Sequence, residues 1–196
     1  MKKLLLVLAL AIFGFANAQK GTVFVSGNVG YYSQKSDNPG SSPDYTNFSF
    51  SPKVGYQYND NWTVGVESNI ANTKNTYSIG EYKTNGFSVG GFIRYSKPLG
   101  GIFSVYGDLG AGYQNVKQIQ YNGGFIPSSS ITKASGFYVG VTPALFLNIN
   151  KGFGLNFNIG GLGYNTLNNT THNGSDAKNF NFSFGQAISV GISKNF

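Results

Sequence analysis

Beyond residue 21, apolar and polar residues alternate with period two over eight stretches, the mark of a strand whose two faces meet different surroundings. The stretches run over about Thr22 to Ser33, Asn47 to Tyr58, Trp62 to Ala71, Gly86 to Ser96, Ile102 to Gln114, Gly136 to Ile149, Phe153 to Tyr164 and Asn179 to Phe196. In the second, Phe48, Phe50, Val54, Tyr56 and Tyr58 oppose Asn47, Ser49, Ser51, Lys53 and Gln57. In the fourth, Phe87, Val89, Ile93 and Tyr95 oppose Ser88, Gly90 and Arg94. The seventh loses its register at Gly160-Gly161.

The connectors alternate too. Asn59-Asp60-Asn61, Lys97 to Gly101 and Asn150-Lys151-Gly152 are short, whereas Gln34 to Thr46, Asn72 to Asn85, Asn115 to Ser135 and Asn165 to Lys178 are long and polar. The short set carries the Asn, Asp, Gly and Pro that tight hairpins use. Short turns at one end, long connectors at the other and both termini at the short end predict an all-β fold, an eight-stranded antiparallel up-and-down transmembrane β-barrel of the bacterial outer-membrane kind. Each stretch reaches the ~9–11 residues that a tilted crossing needs.

Alternation does not say which face points outward, but charge does. On the apolar faces the only charge is Lys194; the polar faces hold Lys53, Glu67, Arg94 and Asp108 on four successive strands. A water-covered exterior would carry many more charges, whereas a lipid-covered one excludes them, because Lys or Arg at the midplane costs about 2–4 kcal/mol. The apolar face therefore looks outward. Its aromatics gather in two belts, as interfacial side chains do: Tyr56, Tyr58, Trp62, Tyr95, Phe103, Phe153 and Phe196 toward the short turns, and Tyr31, Phe48, Phe87, Tyr113, Phe137 and Phe180 toward the long connectors.

Composition agrees with that solvent. Charged residues are 11% of the chain, against about 25% in soluble domains. A hydrophobic content of 40% with 16% aromatic is too rich for disorder. Mean hydropathy is −0.15, and only one long apolar run exists, which excludes a bundle of membrane helices. That run lies at the start: Met1-Lys2-Lys3, then apolar Leu4 to Phe15, then the small-x-small site Ala16-Asn17-Ala18. It predicts a cleaved signal peptide over 1–18 and a barrel domain over 19–196. With no Cys in the chain, disulfides and thiolate chemistry are excluded.

The four inward charges sum to zero. Lys53 and Glu67 are equidistant from Asp60 and should be direct cross-strand partners, with Arg94 and Asp108 on the next two strands. Two readings stand: a structural ion network filling the barrel, or a constriction or gate in a small pore. Eight strands leave an interior that side chains can fill, and inward Phe24, Tyr32, Phe92, Tyr106, Tyr138, Phe146 and Tyr164 should crowd it.

Several segments resemble the small OmpA/OmpX-like outer-membrane β-barrel proteins, with the closest likeness to Bacteroidota-type chains. PKVGYQYNDNWTVGVE, Pro52 to Glu67, is similar to their second hairpin, and GVTPALFLNINKGFGLNFNIGGLGY, Gly140 to Tyr164, to a later one. The terminal ISVGISKNF, with Ile188, Val190, Ile192 and Phe196, resembles the C-terminal signal read by the barrel-assembly machinery, departing from it at Lys194. The resemblance implies a Gram-negative cell envelope location, export through the signal peptide, and a monomer embedded in outer-membrane lipid and lipopolysaccharide. None of these segments is specific for an activity.

Catalysis is not expected. Hydrolysis by a barrel enzyme needs a nucleophilic Ser activated by a His; the only His is His172, in the loop sequence THNGSD with Ser175 and Asp176, and nothing resembles the His-x-Ser strand motif of lipid A deacylases. One His and no Cys argue against a metal site, no cofactor is expected, and no basic stripe suggests nucleic acid. The long connectors hold Lys35, Lys74, Lys83, Lys117, Lys133 and Lys178 against Asp37, Asp44, Glu81 and Asp176, a net of +2. That charge suits anionic lipopolysaccharide. Aromatics at Tyr45, Tyr77, Tyr82, Tyr121 and Phe125 suit either an OmpX-like adhesive surface or the barrel rim. The sequence thus points to a structural envelope barrel, with a narrow porin-like channel and an OmpX-like adhesin as alternatives.

Overall fold

The computed structural model describes residues 21–35, 44–123, 128–171 and 176–196, the side chains of 186–188 excepted. The expected signal peptide, together with Asp37, Phe125, His172 and Ser175, lies outside the described residues. Eight strands follow one another: β1 (Thr22–Gln34), β2 (Asp44–Gln57), β3 (Trp62–Tyr77), β4 (Gly80–Gly100), β5 (Phe103–Asn122), β6 (Ser128–Asn150), β7 (Phe153–Asn169) and β8 (Ala177–Asn195). Each pairs antiparallel with its neighbour, and β1 with β8, in a closed barrel.

Closure brings the chain ends together at the short-turn end. The Phe196 amide donates to the Val23 carbonyl at 2.9 Å and the Val23 amide to the Phe196 carbonyl at 3.2 Å. At the β2–β3 turn, Asn59 Oδ1 accepts the amides of Asn61 and Trp62, each at 2.9 Å, the Asx-turn chemistry that suits Asn there. At the β6–β7 turn, Lys151 and Gly152 take positive φ of 44° and 78°, as a tight hairpin requires. Lys194, the charge out of place on the apolar face, reaches the nearby Lys151 carbonyl at 2.6 Å.

The strands are longer than alternation suggests. The connector expected over Asn72 to Asn85 is mostly ladder, continuing from Ala71↔Gly86 to Tyr77↔Gly80 and leaving Ser78 and Ile79 at the tip. Likewise β5 and β6 stay paired to Asn122↔Ser128, β7 reaches Asn169, β8 begins at Ala177 and β2 begins at Asp44. Above the membrane both faces of a hairpin meet water, so the apolar-polar contrast that marks a strand vanishes while the backbone pairing does not.

A second difference concerns Tyr164, expected in the lumen. The ladders shift between Asn158 and Gly160 on β7 and between Val141 and Ala144 on β6, with Gly160 at a φ of 122°. An extra residue in one strand exchanges its faces beyond that point. Tyr164 consequently pairs with Val139 and Phe180 and lies exposed with them on the outer face. Tyr32 does not fill the lumen either; it stands exposed near the top of β1, its hydroxyl donating to Gln34 at 3.0 Å.

Candidate functional site

The inward faces of β1 to β8 converge on one layer of ionic and aromatic groups. Arg94 and Asp108 are cross-strand partners. Arg94 Nε donates to Asp108 Oδ1 at 2.6 Å and Nη2 to Oδ2 at 2.9 Å, a bidentate pairing of guanidinium fork and carboxylate. Lys53 and Glu67 face each other on β2 and β3, with Lys53 Nζ 2.7 Å from Glu67 Oε2. Lys53 Nζ also lies 2.9 Å from Asp108 Oδ2, so one ammonium joins the two pairs across the barrel. The order is Glu67, Lys53, Asp108, Arg94, with charges alternating in sign along the chain of contacts.

Aromatic and amide groups complete the layer. The Arg94 guanidinium carbon sits 3.6 Å from the Tyr106 ring centroid and 4.3 Å from that of Phe24, a stacked cation–π arrangement. Lys53 Nζ lies 5.1 Å from the Phe92 centroid, and Phe92 meets Phe24 edge-on at 6.2 Å. The Tyr138 hydroxyl donates to Glu67 Oε1 at 2.9 Å. Tyr106 donates to Asn156 Oδ1 at 3.1 Å, and Ser193 to the same oxygen at 3.4 Å. Every strand contributes at least one member. Glycines open the space: a Cβ at Gly110 would run into the Glu67 carboxylate, and one at Gly65 would lie 2.9 Å from Phe92 Cε1.

The layer separates two cavities. One of 410 Å³ lies toward the long connectors, with Ser88, Gln114, Tyr138, Thr142, Asn165, Asn181 and Ser183 in its lining. The other, 130 Å³, lies toward the short turns, bounded by Phe24, Thr63, Arg94, Ser96, Tyr106, Phe146 and Ser193 among others. Arg94 and Asp108 are buried between them. Among the described residues, no group of three or more His, Cys, Asp or Glu gathers that could hold a metal ion.

The outer face carries the two aromatic belts. Tyr56, Tyr58, Trp62, Tyr95, Phe103 and Phe153 are exposed at the short-turn end, and Tyr31, Phe48, Phe87, Tyr113, Phe137 and Phe180 at the other. Trp62 and Tyr95 pair across β3 and β4 with ring centroids 4.9 Å apart, and Tyr113 meets Phe137 at 6.1 Å. Val190 and Ile192 lie exposed on β8; the Ile188 side chain lies outside the described residues.

Residues 4–187 match the family model described as the outer membrane protein beta-barrel domain. The chain belongs to that family. It is a small outer-membrane β-barrel protein. A comparison with curated proteins gave no match. Among solved structures, the chain is similar to Ail, the attachment invasion locus protein of Yersinia pestis, at 18% identity over 90% of this chain and 99% of that one, with a TM-score of 0.47. It is similar to OprG from Pseudomonas aeruginosa at 14% identity over 93% and 99%, with a TM-score of 0.46. With the neisserial surface protein A it shares 19% identity over 90% and 97%, with a TM-score of 0.42.

One contact and one member of the inner layer escape a reading of the sequence. The Lys53–Asp108 contact joins residues 55 positions apart and exists only because the barrel closes at this radius. Asn156 is one of many strand asparagines, and nothing local distinguishes the one that binds Tyr106 and Ser193.

Proposed function

We propose that this outer-membrane barrel is a structural component of the envelope whose lumen is closed by its own side chains, without catalytic activity. The observation that carries the reading is Asp108: buried, it accepts both arms of the Arg94 fork and the Lys53 ammonium, so the interior between the two cavities is spanned by groups bonded to one another. Eight strands enclose little more than side chains can occupy. A charge taken out of water costs several kcal/mol unless it is well paired and hydrogen-bonded, and here each of the four charges has an opposite partner within 3 Å. On this reading the leader over 1–18 is removed during export and the C-terminal strand, with Ile188, Val190, Ile192 and Phe196, engages the assembly machinery. The aromatic belts fix the depth of a monomer, and the long connectors face outward.

Recording from planar bilayers tests it. The wild-type protein should give no stable conductance steps. Reproducible steps that disappear in Arg94→Ala or Glu67→Ala would make the layer a selectivity constriction instead.

A further inference from the structure

Above the ion layer, charge is sorted between the two faces of the wall. Among the described residues, the strands there carry Asp44, Lys74, Glu81, Lys83, Lys117, Lys133 and Lys178. Each stands an even number of residues from an exposed apolar residue of its own strand: Phe48 on β2, Ile70 on β3, Phe87 on β4, Tyr113 on β5, Phe137 on β6 and Phe180 on β8. All of these charges therefore lie on the outer face. Outside the β7–β8 bulge, the inward positions are Asn, Gln, Ser, Thr, Tyr, Gly and Ala, with Val116 and Leu167 as the apolar exceptions. Water meets both faces above the membrane, so hydration alone gives no reason for this separation.

This neutral inner face borders the 410 Å³ cavity, a volume within the ~300–1,000 Å³ of ligand pockets. Tyr138 lines it next to the ion layer, held there by the bond from its hydroxyl to Glu67 Oε1. Gln114 of β5, Asn165 of β7 and Asn181 of β8 line it as well, each an amide with donor and acceptor side by side. Gln114 Nε2 donates to the Thr166 carbonyl at 3.2 Å, and Asn165 Oδ1 accepts from Asn179 at 3.2 Å. The Gln114 oxygen and the Asn165 amino group are thus left for a ligand. Asn181 lies over Gly163, where a Cβ would come 2.7 Å from its Oδ1. The main chain contributes too. The β6–β7 ladder skips from Val141↔Leu162 to Ala144↔Asn158; a bulge leaves backbone donors and acceptors outside the ladder, and Gly160 and Gly161 bring that stretch to the cavity wall without side chains.

We propose that this cavity is a binding site for a neutral saccharide. An ion or zwitterion would leave its charge there without a counter-charge, and an apolar molecule would bury the amides unpaired; both are costly. A sugar ring avoids both costs. Its neighbouring hydroxyls each donate and accept, as a side-chain amide does, and its C–H face can rest on the Tyr138 ring. The site rests on the reading of the lumen as closed, since the ion layer beneath makes the cavity an end point and not a passage.

Saturation-transfer NMR on the whole barrel in a zwitterionic, sugar-free detergent tests this. The probes are neutral mono- and disaccharides of glucose, galactose, mannose and N-acetylglucosamine, with glucuronic and galacturonic acids as charged counterparts. Wild-type protein should bind at least one neutral probe, with little effect of added salt, and the charged counterparts more weakly. Gln114→Leu and Asn181→Leu should each weaken that probe about fivefold, the loss of one ordinary hydrogen bond. Lys117→Gln, on the outer face, should leave it unchanged. Asn181→Asp, of the same size, should weaken it as well, and stands in for Asn181→Leu if that variant loses the fast-migrating form of the unboiled barrel on a gel. No transfer to any neutral probe overturns the proposal, as does transfer that survives the inner-face variants or favours the charged sugars. Swelling of proteoliposomes in the bound sugar tests the underlying reading separately: swelling would show an open lumen while the binding result stood.

Discussion

Replacing Asp108 by Ala isolates what the inner layer contributes to stability. The carboxylate is 5% exposed and accepts two bonds from Arg94 and one from Lys53. After the change Lys53 keeps Glu67 at 2.7 Å, but Arg94, itself buried, keeps only the faces of Phe24 and Tyr106. Leaving one member of a buried pair without its partner costs about 3–5 kcal/mol. Glu81→Gln removes a carboxylate that also bonds two cations, but there the lysines are 46% and 44% exposed, and the loss should stay under about 1 kcal/mol. Urea unfolding of vesicle-embedded protein, followed through the fluorescence of Trp62, the only Trp, measures both. The double variant Arg94→Met with Asp108→Leu should recover most of the loss, since removing both charges leaves no buried ion behind. If Asp108→Ala comes within 1 kcal/mol of wild type, the layer is hydrated and the description of a dry, interlocked interior is wrong.

Gly110→Val should cost about 1–3 kcal/mol by driving a side chain into Glu67, whereas Gly107→Val, where nothing lies within 4 Å of the added carbon, should be nearly silent in the same titration. Tyr164→Trp in a Trp62→Phe background should be quenched by brominated lipid, and an unquenched signal would return residue 164 to the lumen. The Glu81 carboxyl is held below its ordinary value of 4.5 by hydrogen bonds from Lys74 and then Lys83. Because the folded value lies under the unfolded one, this stabilisation is present above the ordinary glutamate range and fades as pH falls through the folded value; a carbon-13 titration should find a midpoint below 4.5 that rises in Lys74→Gln. Amides from Thr73 to Thr84 other than those at the hairpin tip should exchange slowly despite lying outside the membrane, and rapid exchange throughout would contradict the extended β3–β4 ladder.

The barrel was legible because lipid outside and protein inside impose opposite demands on alternate residues, and Phe87, Val89 and Ile93 against Ser88, Gly90 and Arg94 record both. The cross-strand relation of Lys53 to Glu67 followed from their equal distance from Asp60, since a hairpin register is set by its turn. The reading weakened wherever one of those conditions lapsed. Above the rim there is water on both faces, so Lys74 and Lys83 carry no trace of their pairing. Past Gly160 one inserted residue reverses the parity, and Tyr164 looks like an inward residue by counting alone. The Lys53–Asp108 contact depends on curvature, which no single strand encodes.

The seam that closes the barrel has a kinetic consequence. Among the described residues the β1–β8 ladder runs only from Phe24↔Asn195 to Asn28↔Gly191, five pairs, while β1 and β2 are matched along the whole of β1. It also joins strands at opposite ends of the chain, so its formation bears the largest loss of chain freedom for the fewest bonds in return. Hairpins can zip from their turns, whereas this junction waits until both partners are in place. It should therefore be the last to form during insertion and the first to part under thermal or mechanical load, so that the lifetime of the barrel is set along a short line beside its own termini.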